Sequence, residues 1–413
     1  MRKYLLGNLI LMMALLACQG ESSQPIELKT GLWRFELQLQ DTAVMPFLAE
    51  LEQTPSGYQL TVQNDTERIL VDEITRSGDS IRIKMPVFQS EFVASIETDS
   101  TFSGWWYEYS RGADYRVPFS AKAGYAGVFP FPSSSPTIEL ANRWATEFSP
   151  DTEDSYVAIG EFSQLGSEVH GTFLTETGDY RYLTGVFDGQ ELKLSTFDGS
   201  HAFLFEAQLQ EDGSLVGSFF SGNHWIEPWI ATPDPEAQLR APDELTYLKP
   251  GYDGIEFAFP DLQGDTVRLS DERFQDKVVI VQLLGSWCPN CMDESKLFAQ
   301  WYQQYQPQGL EIVGLAYERA EDPAFAMASV QRMMDRLGVE YPVLLAATTN
   351  DKAEAAKTLP MLNHVLSYPT SIYIDRAGNI RKIHTGYYGP GTGDRHIQFL
   401  EKYTAFLEKL LAE

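Results

Sequence analysis

Gly285 to Cys291 reads GSWCPNC, directly after the apolar run KVVIVQLL (Lys277–Leu284). A continuous apolar run of that length predicts a buried central strand. The residues that follow, Pro289 to Gln306, place Phe298, Tyr302 and Tyr305 at helical spacing. The two cysteines therefore stand where a strand hands over to a helix. Pro289 suits the first helical position, whose N–H has no partner within a helix. At that terminus, unpaired backbone N–H groups and the positive end of the helix dipole would stabilise a thiolate on Cys288. Cys291, one turn later, can reach the same sulfur.

Three chemistries compete for such a pair. Zinc needs four ligands, but the chain has three cysteines in all, and His364, His384 and His396 lack metal-ligand spacing from Cys288. His170, His201 and His224 are irregularly spaced as well. A structural staple is a poor reading, because a two-residue gap constrains little of the unfolded chain. Disulfide exchange fits. The Cys288 thiolate attacks a partner disulfide, a mixed disulfide forms, and Cys291 releases it as the pair oxidises. That chemistry calls for no cofactor and no metal.

The third cysteine belongs to the N-terminus. Arg2 and Lys3 precede an apolar stretch from Leu5 to Leu16, too short to span a bilayer and shaped like a signal peptide. Leu15-Leu16-Ala17-Cys18 resembles the lipobox of bacterial lipoproteins, although Leu16 is larger than usual there. Residues 1–17 are thus expected to be a signal peptide, Cys18 a lipidation site, and residues 18–25 a polar tether. The expected place is the cell envelope, lipid-anchored on the extracytoplasmic face. Stray thiols are oxidised there, so a lone CxxC pair needs its own reason. The net charge of -27 over 413 residues argues against a nucleic-acid partner, since phosphate binding needs clustered Lys and Arg.

Two proline-rich stretches, GVFPFPSSSPT (Gly127–Thr137) and ATPDPEAQLRAPDE (Ala231–Glu244), read as linkers. Before the second of them the pattern is antiparallel all-β, a barrel or a sandwich. Segments such as SIRIKMPVF, EFVASIE, YLTGVF, ELKLSTF and AFLFEAQL are separated by turn signals, among them Gly78-Asp79, Gly178-Asp179 and Asp198-Gly199. The stretch from Gly78 parallels the stretch from Gly189, and Pro118-Phe119 and Pro228-Trp229 follow them. The parallel reads either as an internal duplication, with halves at residues 26–125 and 138–232, or as the common grammar of β-hairpins. From residue 245 to 413 strands alternate with helices. LEIVGLAYE, YPVLLA, SIYID and IRKI read as strands, and Asp322-Pro323 opens a helix that Gly338 ends. The expectation is a three-layer α/β domain on a mixed sheet.

The residues from about Gly254 onward, including FPDLQGDTVRLSDERFQDKVVIVQLLGSWCPNCMDE and SYPTSIYIDRAGNI, resemble the TlpA/ResA-like branch of thioredoxin-fold disulfide reductases. The resemblance implies that Pro369 is cis and faces the cysteines, and that it deters metal capture. It implies that Tyr368 offers backbone hydrogen bonds to a bound segment and that Trp287 flanks and shields the site. Pro289 and Asn290, between the cysteines, influence the potential. Where thioredoxins carry a buried proton-relaying aspartate, this chain has Gln282, so Cys291 must pass its proton elsewhere. Glu294 matches an acidic position of the branch, and serves equally well as a first-turn carboxylate favoured by the helix dipole. Implied partners are exported disulfide-containing proteins, such as cytochrome c apoproteins, and a membrane electron donor of the DsbD/CcdA kind. Peroxiredoxins use an isolated cysteine in a different local motif, so the sequence argues against peroxidase activity.

The aromatic stretches SGWWYEYSRGADY and GTFLTETGDYRYLTG could line a cavity, but aromatics of this kind are expected in the core of the β half. Two further functional readings stay open. One is a ligand- or protein-binding lipoprotein whose β half is the working part. The other is a disulfide oxidase or isomerase on the same fold.

Overall fold

The computed structural model describes residues 26–132, 136–349 and 351–413. The expected leader, the tether and Cys18 lie outside the described residues. Among the described residues, no helix is long and apolar enough to cross a membrane.

The first unit is a nine-stranded antiparallel meander: β1 (Gly31–Gln38), β2 (Val44–Thr54), β3 (Gly57–Asn64), β4 (Glu67–Val71), β5 (Glu73–Ser77), β6 (Ser80–Lys84), β7 (Ser90–Thr98), β8 (Thr101–Glu108) and β9 (Arg116–Ala123). Its order is β4-β3-β2-β1-β9-β8-β7-β6-β5. Strand β1 shows why the sheet curls around a core: Trp33, Phe35 and Leu37 alternate inward and are fully buried, the period of two that a pleated strand imposes.

The second unit repeats the plan with β10 (Arg143–Phe148), β11 (Tyr156–Leu165), β12 (Glu168–Thr175), β13 (Gly178–Asp179), β14 (Leu183–Phe187), β15 (Glu191–Phe197), β16 (Ala202–Leu209), β17 (Leu215–Ser221) and β18 (Trp225–Pro233). Here β11 also pairs with β12, which closes the barrel and removes its edges. The stretches that parallel each other in sequence occupy β6 to β8 and β15 to β17. Pro118 and Pro228 fall in β9 and β18, which pair back onto β1 and β10. Each first strand also carries a buried tryptophan whose indole N–H donates to a carbonyl just upstream: Trp33 to Lys29 O at 2.9 Å, and Trp144 to Ala141 O at 2.7 Å. The halves are thus two sheets, and they pack together. Phe47 stacks on Phe197 at 4.4 Å, and the Asn64 amide donates to Phe197 O at 2.8 Å.

The third unit holds a small hairpin, β19 (Ala258–Pro260) with β20 (Thr266–Arg268). A five-stranded sheet follows, built from β21 (Val278–Leu284), β22 (Leu310–Glu318), β23 (Val343–Thr348), β24 (Thr370–Ile374) and β25 (Ile380–Thr385). Four helices accompany it: α1 (Pro289–Tyr305), α2 (Pro323–Leu337), the short α3 (Lys352–Ala356) and α4 (Asp394–Ala412). The order is β23-β22-β21-β24-β25, with β21 parallel to β22 and antiparallel to β24. Every residue of β21 is buried. Val278, Ile280 and Leu284 pack with Phe298 and Phe399 on one face, whereas Val279, Val281 and Leu283 pack with Leu359 and Leu362 on the other. That division explains the unbroken apolar run. This is the thioredoxin-like α/β domain that the sequence predicts.

One predicted strand stops short. SIRIKMPVF is strand only to Lys84, because Pro86 has no N–H to continue the ladder. Val87 and Phe88 beyond it are buried in the core of the α/β domain. The first barrel is therefore fastened to that domain by apolar side chains as well as by Arg332, which donates to Glu73 and to Met85 O at 2.7 and 2.6 Å.

Candidate active site

Strand β21 ends at Leu284, and the chain turns through Gly285–Trp287 into α1. Cys288 is the N-cap of that helix, with Pro289 at its first position. The backbone N–H of Cys291 donates to Cys288 Sγ at 3.2 Å, one of the amide contacts by which a helix N-terminus favours negative charge on sulfur. The two cysteines are joined as a disulfide. Cys291 is fully buried and Cys288 is 6% exposed.

The predicted partners converge on this pair. The Tyr368–Pro369 peptide is cis, and Cys288 Sγ lies 3.5 Å from Tyr368 O. Trp287 anchors its indole N–H on Tyr317 O at 3.0 Å and sets its ring edge-on to Tyr368, 5.9 Å between centroids. Gln282 and Glu294 meet behind the cysteines. The Gln282 amide donates to Glu294 Oε2 at 2.8 Å, and Ser371 Oγ donates to Glu294 Oε1 at 2.9 Å. Ser295 and Tyr341 hydroxyls hold the Gln282 oxygen, each at 3.2 Å. Burial pushes the Glu294 carboxyl up to about 7, against the pull of its two hydrogen bonds. Glu294 stands three residues after Cys291 on the same helix, so the two share a face. The group that sequence alone left between a helix-dipole carboxylate and an acid of the site is fully enclosed, away from any solvent-facing first turn.

A second buried acid braces the turn before the cysteines. Glu318 accepts from the N–H and the hydroxyl of Ser286, each at 2.7 Å, and burial pushes it up to about 7. Among the described residues no group of three or more His, Cys, Asp or Glu could hold a metal ion.

The residues that sequence reasoning missed come from the second barrel, which covers the pair. Asn290 Nδ2 donates to Asp179 O at 3.2 Å, Ser367 Oγ to Thr177 O at 2.9 Å, and Ser200 Oγ to Trp287 O at 2.7 Å. Arg181 reaches from the barrel to Asp293 on α1, to Glu67 on β4, and to within 3.7 Å of Asp198. One buried guanidinium thus ties all three units together beside the cysteines. GTFLTETGDYRYLTG is core in part only. Phe173, Leu174 and Leu183 are buried in the barrel, whereas Thr175 to Arg181 line a cleft of about 530 Å³ over Cys288. The Gly178-Asp179 pair, read as a turn, is the short strand β13, paired with Leu174 and Thr175. The turn itself falls at Glu176-Thr177.

The AhpC/TSA family model matches residues 250–383. Thiol-disulfide oxidoreductase ResA of Halalkalibacterium halodurans is 30% identical over 143 residues, covering 35% of this chain and 72% of the relative. ResA of Geobacillus kaustophilus is 27% identical over 158 residues, covering 38% of this chain and 82% of the relative. Among solved structures, a thioredoxin-family thiol:disulfide interchange protein from Chlorobium tepidum is 21% identical and covers 40% of this chain and 98% of that chain, with a TM-score of 0.28. The family match begins after the last barrel strand, and it falls on the domain that carries the paired cysteines and the cis-proline. By this likeness the chain belongs to the TlpA/ResA-like, thioredoxin-fold thiol-disulfide oxidoreductases.

Proposed function

We propose that the chain reduces disulfides of exported proteins from the extracytoplasmic face of a membrane, held there by lipid on Cys18. The observation that carries this reading is the placement of Cys288 as N-cap of α1, beside Tyr368 and the cis Pro369, with Cys291 and Glu294 buried behind it.

In the reduced protein the Cys288 thiolate attacks one sulfur of a partner disulfide. That S–S bond breaks, a bond forms between Cys288 Sγ and the attacked sulfur, and the departing thiolate takes a proton from water. Cys291 then attacks Cys288 Sγ and expels the second partner thiol. The pair ends oxidised, and two electrons have passed to the partner. Before Cys291 can attack it must lose its proton. The Glu294 carboxylate is the acceptor on the same helix face, and a group titrating at about 7 suits proton transfer near neutral pH. Gln282 cannot titrate; it orients that carboxylate. Trp287 screens the sulfur from water. Tyr368 presents its backbone to the bound segment, and Pro369 holds that backbone against Cys288. A membrane donor of the DsbD/CcdA kind would return the electrons.

The deciding measurement is the reduction potential of the Cys288–Cys291 pair in residues 26–413, with Cys288→Ser as the control that removes the couple. A value near about -270 mV, thioredoxin's, supports a reductase. A value near about -120 mV, as for DsbA, makes the chain a disulfide donor and overturns the direction.

A further inference from the structure

The cleft over Cys288 has one wall from each of two units. On the barrel side stand Tyr156, Thr177, Tyr180 and Phe203; on the redox side stand Trp287, Cys288, Ser367 and Tyr368. Carbonyls and side chains flanking Cys288 are already engaged by the barrel through Trp287 O, Asn290 and Ser367. What reaches the sulfur must enter as a thin segment between two walls.

Three cations line that cleft: Arg181, already paired with Glu67 and Asp293, and Arg319 and Lys352. The Arg319 guanidinium lies over the Trp287 ring, 3.4 Å from its centroid. Its Nη1 is buried with no hydrogen-bond partner among the described residues. Burial and the neighbouring Arg111 pull Arg319 down to about 10, although Glu108 and Glu318 pull the other way. Lys352, an exposed residue that lines the same cleft, gives its ammonium to Leu366 O, and burial of that end and the charge of Arg319 pull it down. The carboxylates nearby are committed. Glu318 holds Ser286, Glu108 holds Ser110 and Arg111, and Glu176 is paired with Arg240 at 2.6 Å. Arg319 is half-buried and Lys352 exposed, so the group that lacks a partner is the Arg319 Nη1, and an anion from outside would satisfy it with a charge-assisted hydrogen bond.

We propose that this cleft is the substrate site and that Arg319 and Lys352 select an extended cysteinyl disulfide carrying a carboxylate next to the reacting sulfur. The proposal rests on the reading of Cys288 as the attacking thiol and names the substrate class of that same site. The exchange is the one described above: Cys288 bonds to the attacked sulfur, the leaving thiolate is protonated by water, and the dithiol supplies both electrons. Carboxylate binding adds no redox step.

The test uses residues 26–413 in the reduced state and two symmetric disulfides of a short cysteinyl peptide, one with aspartate and one with asparagine beside the cysteine. Single-turnover oxidation of the Cys288–Cys291 pair is followed by thiol alkylation. Each rate is divided by the rate of the same peptide with dithiothreitol, which removes the peptide's intrinsic reactivity. The expected result is an acidic-over-amide preference of about tenfold to a hundredfold, the range of a charge-assisted hydrogen bond or two. That ratio should fall to near one in the Arg319→Gln, Lys352→Gln double variant. A ratio near one in the unaltered protein overturns the proposal, and so does a ratio that survives the double substitution. If neither peptide oxidises the pair, the reading of Cys288 falls too, which separates the two failures.

Discussion

At the scale of single residues, the site is governed by buried acids. Glu294 and Glu318 are pushed up to about 7 and Asp179 to about 6, each chiefly by burial. A carboxyl whose folded value lies above its unfolded one favours the folded state in its neutral form. Its contribution is whole below about pH 4 and is lost as pH rises through 6 to 7. For Glu294 the loss is on the order of 3 kcal/mol. Glu294→Gln should therefore flatten the fall in stability between pH 5 and pH 8, read from urea midpoints at the two pH values. The substitution also disturbs the hydrogen bond with Gln282 at every pH, so the slope is the informative quantity. The same variant should slow release of the mixed disulfide by on the order of a hundredfold and abolish its rise near pH 7, measured by stopped flow with a cysteinyl peptide disulfide. An unchanged rate would remove Glu294 from the proton path. Of this arrangement the sequence showed the cysteines, the proline and the candidate acid. The grip of Gln282 on Glu294 was not legible, because it joins β21 to α1 across a sheet-to-helix contact that no spacing encodes.

At the scale of elements, the strand-turn-helix around GSWCPNC and the caps of α2 at Asp322 and Gly338 were legible because local chemistry fixes them. The barrel strands were legible as strands, through alternation and turn signals, while their grouping into two sheets was not, since register is a long-range property. The same limit hid the tip of the second barrel. Its approach to the redox domain is backbone against backbone. Gly386 has φ +79, and a Cβ there would lie 2.9 Å from the Thr177 carbonyl carbon. Nothing near Gly386 in sequence announces Thr177. Gly386→Ala should cost roughly 1–3 kcal/mol of stability, whereas Gly254→Ala, where an added Cβ meets nothing within 4 Å, should change it by about 0.5 kcal/mol or less. Denaturant midpoints of the two variants check the difference. Equal effects would mean that the barrel tip does not press on the domain.

At the scale of the whole molecule, the redox site lies inside an assembly of three units, and Arg181 sits at their junction with 4% of its side chain exposed. Its partners Glu67, Asp198 and Asp293 come one from each barrel and one from α1. Removing the guanidinium while keeping its bulk, as in Arg181→Met, takes the cation from two buried carboxylates, Asp198 and Asp293, and from the half-buried Glu67, and breaking a buried ion pair costs about 3–5 kcal/mol. The relief available to them is water, which enters by loosening the second barrel from α1. Val87 and Phe88 hold the first barrel independently of this cluster, so the loosening should be confined to the wall over Cys288. Its signature is steric. With Cys288 only 6% exposed, reduced unaltered protein should react with iodoacetamide far faster than with a polymer-linked maleimide, after each rate is divided by that of a free thiol. In Arg181→Met the two normalised rates should approach each other, with the far-ultraviolet spectrum of the folded protein retained. If the discrimination persists in a destabilised variant, Arg181 stabilises the fold without holding the cleft closed, and the narrowness of the site belongs to the Thr177–Ser367, Asp179–Asn290 and Ser200–Trp287 contacts.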